Sequence, residues 1–132
     1  MTPNSEQVLK LIDRLKKDAK GSLTTILILG AIKEGEGSSW GYGIKQHLRE
    51  LTDSSSEIKD SSLYTILKSL EIKYNLIKSE TREKRRYYAL TELGEQDYRK
   101  ACEFWYDLIR TSINALEILN FPIKKRIKEE FT

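Results

Sequence analysis

Two short β-type runs, Leu76–Thr81 and Arg85–Leu90, lie close together in a chain whose other segments have helical periodicity. Both runs are rich in residues that favour strands, and the charged triplet Arg82-Glu83-Lys84 separates them. This pattern predicts a β-hairpin with a charged tip. The predicted hairpin constrains the fold more than any other feature. It implies a mainly α protein with one small β-hairpin at a defined place in the chain.

The segments before the hairpin carry apolar residues every three or four positions, which predicts helices. Gly21-Ser22 is expected to end the first helix, with Ser22 capping a second, largely apolar helix at the centre of the core. Asn75 is expected to end the fourth in a left-handed conformation. The predicted helices are Ser5–Lys20, Ser22–Lys33, a segment carrying Ile44, Leu48 and Leu51, and Ser61–Tyr74.

After the hairpin, Thr91 is the expected N-cap of a long helix that runs to about Leu119. Asn120-Phe121-Pro122 should end that helix, and a short basic tail closes the chain. Helices followed by a hairpin and a long helix are the layout of a winged helix-turn-helix. We therefore predict a winged-helix domain with an N-terminal helix over residues 1–91, and a C-terminal dimerisation helix with a basic tail over residues 92–132.

Length and composition exclude several other classes of protein. The 132 residues are 39% hydrophobic and 33% charged, which indicates one globular, soluble domain. The sequence has no apolar run of membrane-spanning length and no signal peptide, so no membrane partner is expected. Cys102 is the only cysteine and His47 the only histidine. These counts predict a reducing, cytoplasmic location, no metal, no cofactor and no enzymatic activity.

The positive charge is concentrated in one part of the chain. Between Lys59 and Arg86 there are eight basic residues and four acidic ones, an excess larger than the net charge of +3 of the whole chain. A local positive field of this kind suits the phosphates of double-stranded DNA. The hairpin contributes most of it, because four of the five residues Arg82–Arg86 are basic.

The fourth predicted helix turns small hydroxyls and lysines away from its apolar face, which suits the major groove of DNA. The hairpin would form a wing along the minor groove or the flanking backbone. Tyr87 and Tyr88 alternate, so one should pack inward, and Tyr88 is assigned to the DNA side. The residues predicted from these patterns to contact DNA are Ser61, Ser62, Thr65, Lys68, Ser69, Lys73, Arg82, Lys84, Arg85, Arg86 and Tyr88.

Several blocks of this sequence resemble the PadR-type transcriptional regulators in order and spacing, from about Ser22 to Gly94. The chain departs from the family pattern at three positions: Ser61 stands where Gly is usual, Thr65 where Pro is usual, and Asn75 where Gly is common. The resemblance implies a dimeric repressor that binds inverted repeats, with Tyr64 facing DNA and Tyr42 near the backbone. The matching blocks are Gly41-Tyr42-Gly43-Ile44, Ser62-Leu63-Tyr64, Leu70-Glu71, Leu76-Ile77 and Arg86–Gly94.

The last long helix carries two adjacent seams, which together form an apolar stripe too wide for one small domain to cover. One seam is expected to pack on the N-terminal helix and the other on a second copy of the chain. The seam assigned to the dimer is Tyr98, Cys102, Trp105, Ile109, Ser112, Leu116 and Leu119; the other is Ala101, Phe104, Leu108, Thr111, Ala115 and Ile118.

Several alternatives stay open at this point. The last helix has a second interpretation as part of a single intramolecular bundle, and either of its seams is a candidate for the dimer contact. Trp105 is interpreted first as a core aromatic; the resemblance adds the interpretation that it stacks on a small aromatic effector in the dimer interface. The whole chain has a second interpretation as a winged helix that binds an acidic protein and has no specific DNA binding. The salt dependence of DNA binding would separate these two functions.

Overall fold

The computed structural model describes residues 5–35, 39–52 and 58–131. In chain order the elements are α1 Ser5–Gly35, β1 Ser39–Trp40, α2 Gly41–Leu51, α3 Asp60–Lys68, a π-helical turn Ser69–Lys73, β2 Ile77–Arg82, β3 Arg85–Leu90, α4 Glu92–Ile118 and α5 Ile123–Phe131. The chain divides into two compact units, Met1–Tyr98 and Arg99–Thr132. The functional division predicted after residue 91 stays a prediction.

The N-terminal segment is one helix of 31 residues, so the predicted break at Gly21-Ser22 is wrong. A glycine in an exposed helix costs only about 1 kcal/mol relative to alanine, which the helix can absorb. Gly21 is exposed, a Cβ added to it would meet no other atom within 4 Å, and the Thr25 hydroxyl donates a hydrogen bond to its carbonyl. Ser22 therefore lies inside α1 and caps nothing.

The sheet has three antiparallel strands in the order β1-β3-β2, so the predicted hairpin is correct but incomplete. β1 pairs Ser39 with Tyr88 and Trp40 with Tyr87. A strand of two residues has no periodicity to recognise, which is why sequence analysis missed it. The hairpin turn is also tighter than predicted: Arg82 pairs with Arg85, and only Glu83 and Lys84 lie in the turn, at φ of 51° and 67°.

The fourth predicted helix is present and is succeeded by Asn75 in the left-handed conformation, at a φ of 55°. Its last turn is π-helical, which the sequence did not predict. Thr91 is the N-cap that was predicted: its hydroxyl accepts from the backbone N–H of Gly94 at 3.0 Å and donates to the carbonyl of Asn75 at 2.8 Å. The end of the hairpin and the start of α4 are thereby joined to the end of the π turn.

The core lies between the C-terminal half of α1, helices α2 and α3, and the sheet. Ile28, Ile32, Ile44, Leu63, Leu67 and Ile77 are its large, fully buried side chains. The expectation that the apolar stretch before Lys33 lies at the centre of the core is confirmed for Ile28, Leu29 and Ile32, whereas Leu23 is 40% exposed. The first half of α1 differs, because Leu9, Leu11 and Leu15 are all more than half exposed.

The break at Asn120-Phe121-Pro122 is also confirmed: α4 ends at Ile118, and Asn120 has a φ of 66°. No secondary structure was predicted for the basic tail. Residues Ile123–Phe131 form α5, whose side chains are partly or fully exposed. Across the described residues, no helix combines the length and apolarity that crossing a membrane requires.

Candidate nucleic-acid interface

Helix α3 presents its polar residues on the side opposite the core. Leu63 and Leu67 are buried, as is Leu70 in the π turn, and this apolar stripe fixes the helix on the domain. Most of the predicted contact residues are exposed as a consequence. Ser61, Ser62, Tyr64, Thr65, Lys68 and Lys73 are exposed, and Ser69 is half-buried.

Ser62 differs from its neighbours in what surrounds it. It lines a largely apolar cavity of about 570 Å³ together with Leu27, Leu48 and Ile66. The Thr65 hydroxyl donates to the carbonyl of Ser61 at 2.8 Å, so Ser61 and Thr65 share one side of the helix. The hydroxyl residues predicted to share one face of α3 are therefore divided. Ser61 and Thr65 lie together on the exposed side, and Ser62 lies at the edge of that side, next to the apolar cavity.

Tyr42 at the start of α2 and Tyr64 on α3 meet at one depression of about 260 Å³. Both side chains are slightly more than half exposed. A Cβ on Gly41 would lie 2.5 Å from the Tyr64 hydroxyl, so glycine at this position allows the two elements to approach. The structure thus brings together two tyrosines that the resemblance placed near DNA.

The hydroxyl of Tyr42 accepts a hydrogen bond within the domain. Gln46 Nε2 donates to Tyr42 Oη at 2.6 Å, which leaves the phenolic proton available for an outside acceptor. A phosphate oxygen is an acceptor of this kind. Gln46 was not predicted as a site residue, although its spacing of four from Tyr42 places the two side chains on one helix face.

Two cations on α2 were also missed by sequence analysis. Lys45 and Arg49 line the same depression as the two tyrosines. Lys45 Nζ lies 2.8 Å from Asp60 Oδ1, an ion pair that joins α2 to the first residue of α3. The spacing of four between Lys45 and Arg49 was visible in the sequence. What the sequence did not reveal is that this face of α2 adjoins α3.

The wing carries its arginines on both faces of the sheet. Arg82 and Arg85 are cross-strand partners and share the outer face with Tyr87, whereas Arg86 alternates to the other face. The Arg82 guanidinium lies 4.3 Å from the centre of the Tyr87 ring and 3.2 Å from Glu80 Oε1. Lys84 occupies the turn, and all four cations are exposed.

The assignment of Tyr88 to the DNA side is wrong. Its side chain is only 5% exposed and belongs to the core, while Tyr87 is the half-exposed member of the pair. Burial raises the pKa of the Tyr88 phenol, and the nearby Arg86 charge, which also makes a side-chain hydrogen bond with it, partly opposes that rise. Tyr88 therefore supports Arg86 from inside the domain.

The residues of the predicted dimer seam differ in exposure. Tyr98 packs on the core of its own chain, with its hydroxyl against Gly30, so its main contact is intramolecular. Ile109, Ser112 and Leu119 are exposed, and Cys102, Trp105 and Leu116 are half-buried. On the second seam, Phe104 is 62% and Ile118 80% exposed.

Side chains of the metal-binding kinds do not cluster within the part of the chain that the structure describes. None of its His, Cys, Asp and Glu side chains forms a group of three or more that could hold an ion. The site is instead an exposed surface of hydroxyls, phenols and cations.

Comparisons with known proteins identify the family of this chain. Residues 28–100, more than half of the chain, match the transcriptional regulator PadR-like family. A transcriptional regulator from Clostridium thermocellum is 35% identical with a TM-score of 0.65, over 74% of this chain and 96% of that one. A PadR family transcription regulator from Clostridium difficile is 30% identical with a TM-score of 0.57, over 70% and 95% of the two chains.

A PadR family transcriptional regulator from Eggerthella lenta, at 21% identity and a TM-score of 0.66, shares the fold over 86% of this chain and 98% of its own. The search of curated proteins finds no match. The family match covers α2, α3, the sheet and the start of α4, which are the elements that form the surface described above. This chain belongs to the PadR-like family of transcriptional regulators.

Proposed function

We propose that this regulator is a homodimer that binds an inverted repeat in double-stranded DNA and represses transcription by occupying it. Helix α3 enters the major groove, and the wing lies along the adjacent backbone. One observation carries the proposal: the predicted contacts from three elements are connected. Tyr42 and Tyr64 line one depression with Trp40, and Arg85 lies 4.1 Å from the Trp40 ring.

The charges on this surface support phosphate binding in particular. Lys68, Lys73, Lys84, Arg85 and Arg86 are all exposed, and each can replace counterions on the duplex. Short hydroxyls at Ser61 and Thr65 allow α3 to approach closely. Long cations around small polar residues are the arrangement that a groove-binding helix needs.

Dimerisation is supported by exposed apolar side chains in two places. Leu9, Leu11 and Leu15 on α1 are 60%, 58% and 58% exposed, and α4 exposes Ile109 and Leu119 as well. Apolar surfaces of this extent usually contact another protein. A second copy is the occupant that a two-fold symmetric operator requires. Trp105 lies half-buried on the same helix, and its interpretation as an effector-stacking aromatic stays a prediction.

Selection of bound sequences from random duplexes with the purified protein tests the proposal. We expect enrichment of an inverted repeat whose half-site centres are about 34 Å apart, one turn of DNA. Absence of any enriched sequence would reject sequence-specific binding and favour the alternative of a module that binds an acidic protein.

The wing is tested by the salt dependence of DNA affinity. Arg85→Ala with Arg86→Ala should reduce the slope of log affinity against log salt by about one unit for each phosphate that the variant no longer binds. Lys124→Ala with Lys125→Ala on α5 removes the same charge elsewhere and serves as the matched control. Equal changes in both variants would mean that net charge, rather than the wing, sets the affinity.

A further inference from the structure

Trp40 lies between two side chains that the proposed function assigns to DNA. It pairs with Tyr87 in the sheet, so its side chain shares the outer face with Arg85. The Arg85 guanidinium lies 4.1 Å from the centre of the Trp40 ring. The Trp40 and Tyr42 rings are 5.6 Å apart with an interplanar angle of 40°.

The contact with Trp40 leaves the binding groups of Arg85 usable. A guanidinium over an aromatic ring uses its face, whereas it binds phosphate through N–H groups in its own plane. The two interactions are therefore compatible on one side chain. A held arginine also loses less rotamer freedom when it binds, which raises affinity without any new contact.

Arg82 provides an internal contrast. It too lies over an aromatic ring, that of Tyr87, but the carboxylate of Glu80 is 3.2 Å from its Nε. That carboxylate competes with phosphate for the same cation. The structure thus distinguishes two wing arginines by their neighbours: a carboxylate and a ring beside Arg82, and an indole ring beside Arg85.

We propose that Trp40 is a positioning residue for DNA binding, which holds Arg85 of the wing and Tyr42 of α2 in the conformations that contact phosphates. The proposal rests on the proposed function, since it assumes that Arg85 and Tyr42 meet the duplex. Trp40 itself is half-buried and acts through these two neighbours. It also couples the wing to the start of α2, so displacement of either neighbour affects the other.

The test uses the 132-residue chain and a fluorescent mixed-sequence duplex of about 30 base pairs, long enough for a dimer spanning two turns. Binding is followed by anisotropy over a series of salt concentrations. Trp40→Leu, which keeps an apolar side chain but removes the ring, should weaken binding about threefold to tenfold and flatten the salt dependence. Trp40→Phe keeps a ring and should restore most of the affinity.

A double-mutant cycle shows whether Trp40 acts through Arg85. In the Arg85→Ala background, Trp40→Leu should cost clearly less affinity than in the parent protein. Equal costs in both backgrounds would overturn the proposal, as would a Trp40→Leu protein that binds like the parent. If instead Arg85→Ala itself leaves affinity and salt dependence unchanged, the proposed wing contact has failed.

Circular dichroism and thermal unfolding establish whether each variant is folded. Should Trp40→Leu not fold, Arg85→Lys provides the measurement, because it keeps the charge and leaves the Trp40 side chain in place. The positioning role predicts weaker binding for Arg85→Lys than for the parent, since the planar group that lies on the ring is gone. Parental affinity in that variant would overturn the proposal.

Discussion

The two compact units of the chain differ in how far their apolar side chains are buried. Residues up to Tyr98 contain the whole buried core, including Ile28, Leu67 and Ile77, whereas none of residues 99–131 is buried. Phe104, Ile118 and Leu119 are 62%, 80% and 73% exposed. The first unit carries its own hydrophobic stabilisation, while the second exposes apolar surface that a partner can cover. DNA contact is thus proposed for the unit that has its own core, whereas dimerisation is proposed for exposed apolar side chains on the first half of α1 and on α4.

The largest effect that would test this difference is expected at Gly94. A Cβ there would overlap the carbonyl oxygen of Leu76, a backbone atom that already accepts from the N–H of Thr91. Gly94→Ala should lower the free energy of unfolding of the winged-helix unit by more than about 3 kcal/mol, at any protein concentration. Urea unfolding followed by circular dichroism measures it.

Gly21→Ala is the matched control for Gly94→Ala. Gly21 is exposed within α1 and has open space around it, so alanine should stabilise the protein by about 0.5–1 kcal/mol. The two glycine substitutions should therefore have opposite signs. A mild effect at both positions would contradict the close approach of α4 to the start of β2.

An effect of intermediate size is expected at the proposed dimer seam. Leu116→Glu places a charge among apolar residues, and it should convert the dimer to a monomer by weakening association by at least about 2 kcal/mol. Sedimentation gives the mass directly. Asn114→Glu puts the same charge two residues away on an exposed position outside both seams, and it should leave the mass unchanged. A dimeric Leu116→Glu protein would reject this seam.

The smallest effect concerns Tyr88, inside the unit that has its own core. Its raised pKa means that the folded state favours the neutral phenol, so this contribution to stability is complete below about pH 10. It is lost as the pH rises through the raised folded-state pKa. Tyr88→Phe should therefore reduce the alkaline loss of stability, and it should cost about 1 kcal/mol at neutral pH because the hydrogen bond is removed.

Urea unfolding between about pH 8 and about pH 11 measures the Tyr88 effect. Tyr106→Phe removes a phenol that is 67% exposed, and it serves as the matched control for the loss of one hydroxyl group. Equal slopes for the parent and Tyr88→Phe would contradict the buried environment of this phenol.

Local patterns of residues were sufficient to predict the class of fold and several positions where its helices and strands begin and end. Alternating residues predicted β2 and β3, the hydroxyl of Thr91 predicted the start of α4, and Asn75 predicted a left-handed end to the preceding helix. These features depend on local chemistry: side-chain periodicity, capping and allowed backbone conformations. The helix break predicted at Gly21 was wrong. The low helix propensity of one glycine is a weak effect, and it does not break α1, whose C-terminal half is held in place by its burial in the core.

The arrangement of the candidate DNA-binding surface depends instead on contacts that form when the chain folds. The two-residue strand that carries Trp40, and the choice of Tyr88 over Tyr87 for the core, follow from pairing with β3 and from packing under the sheet. Glu83 and Lys84 form the turn with positive φ, although neither is a glycine or an asparagine, the residues that usually mark a two-residue turn. The length of the turn could therefore not be predicted from its residue types. Contacts between residues distant in sequence, such as Arg85 with Trp40, depend on the register of the strands, which no local pattern encodes.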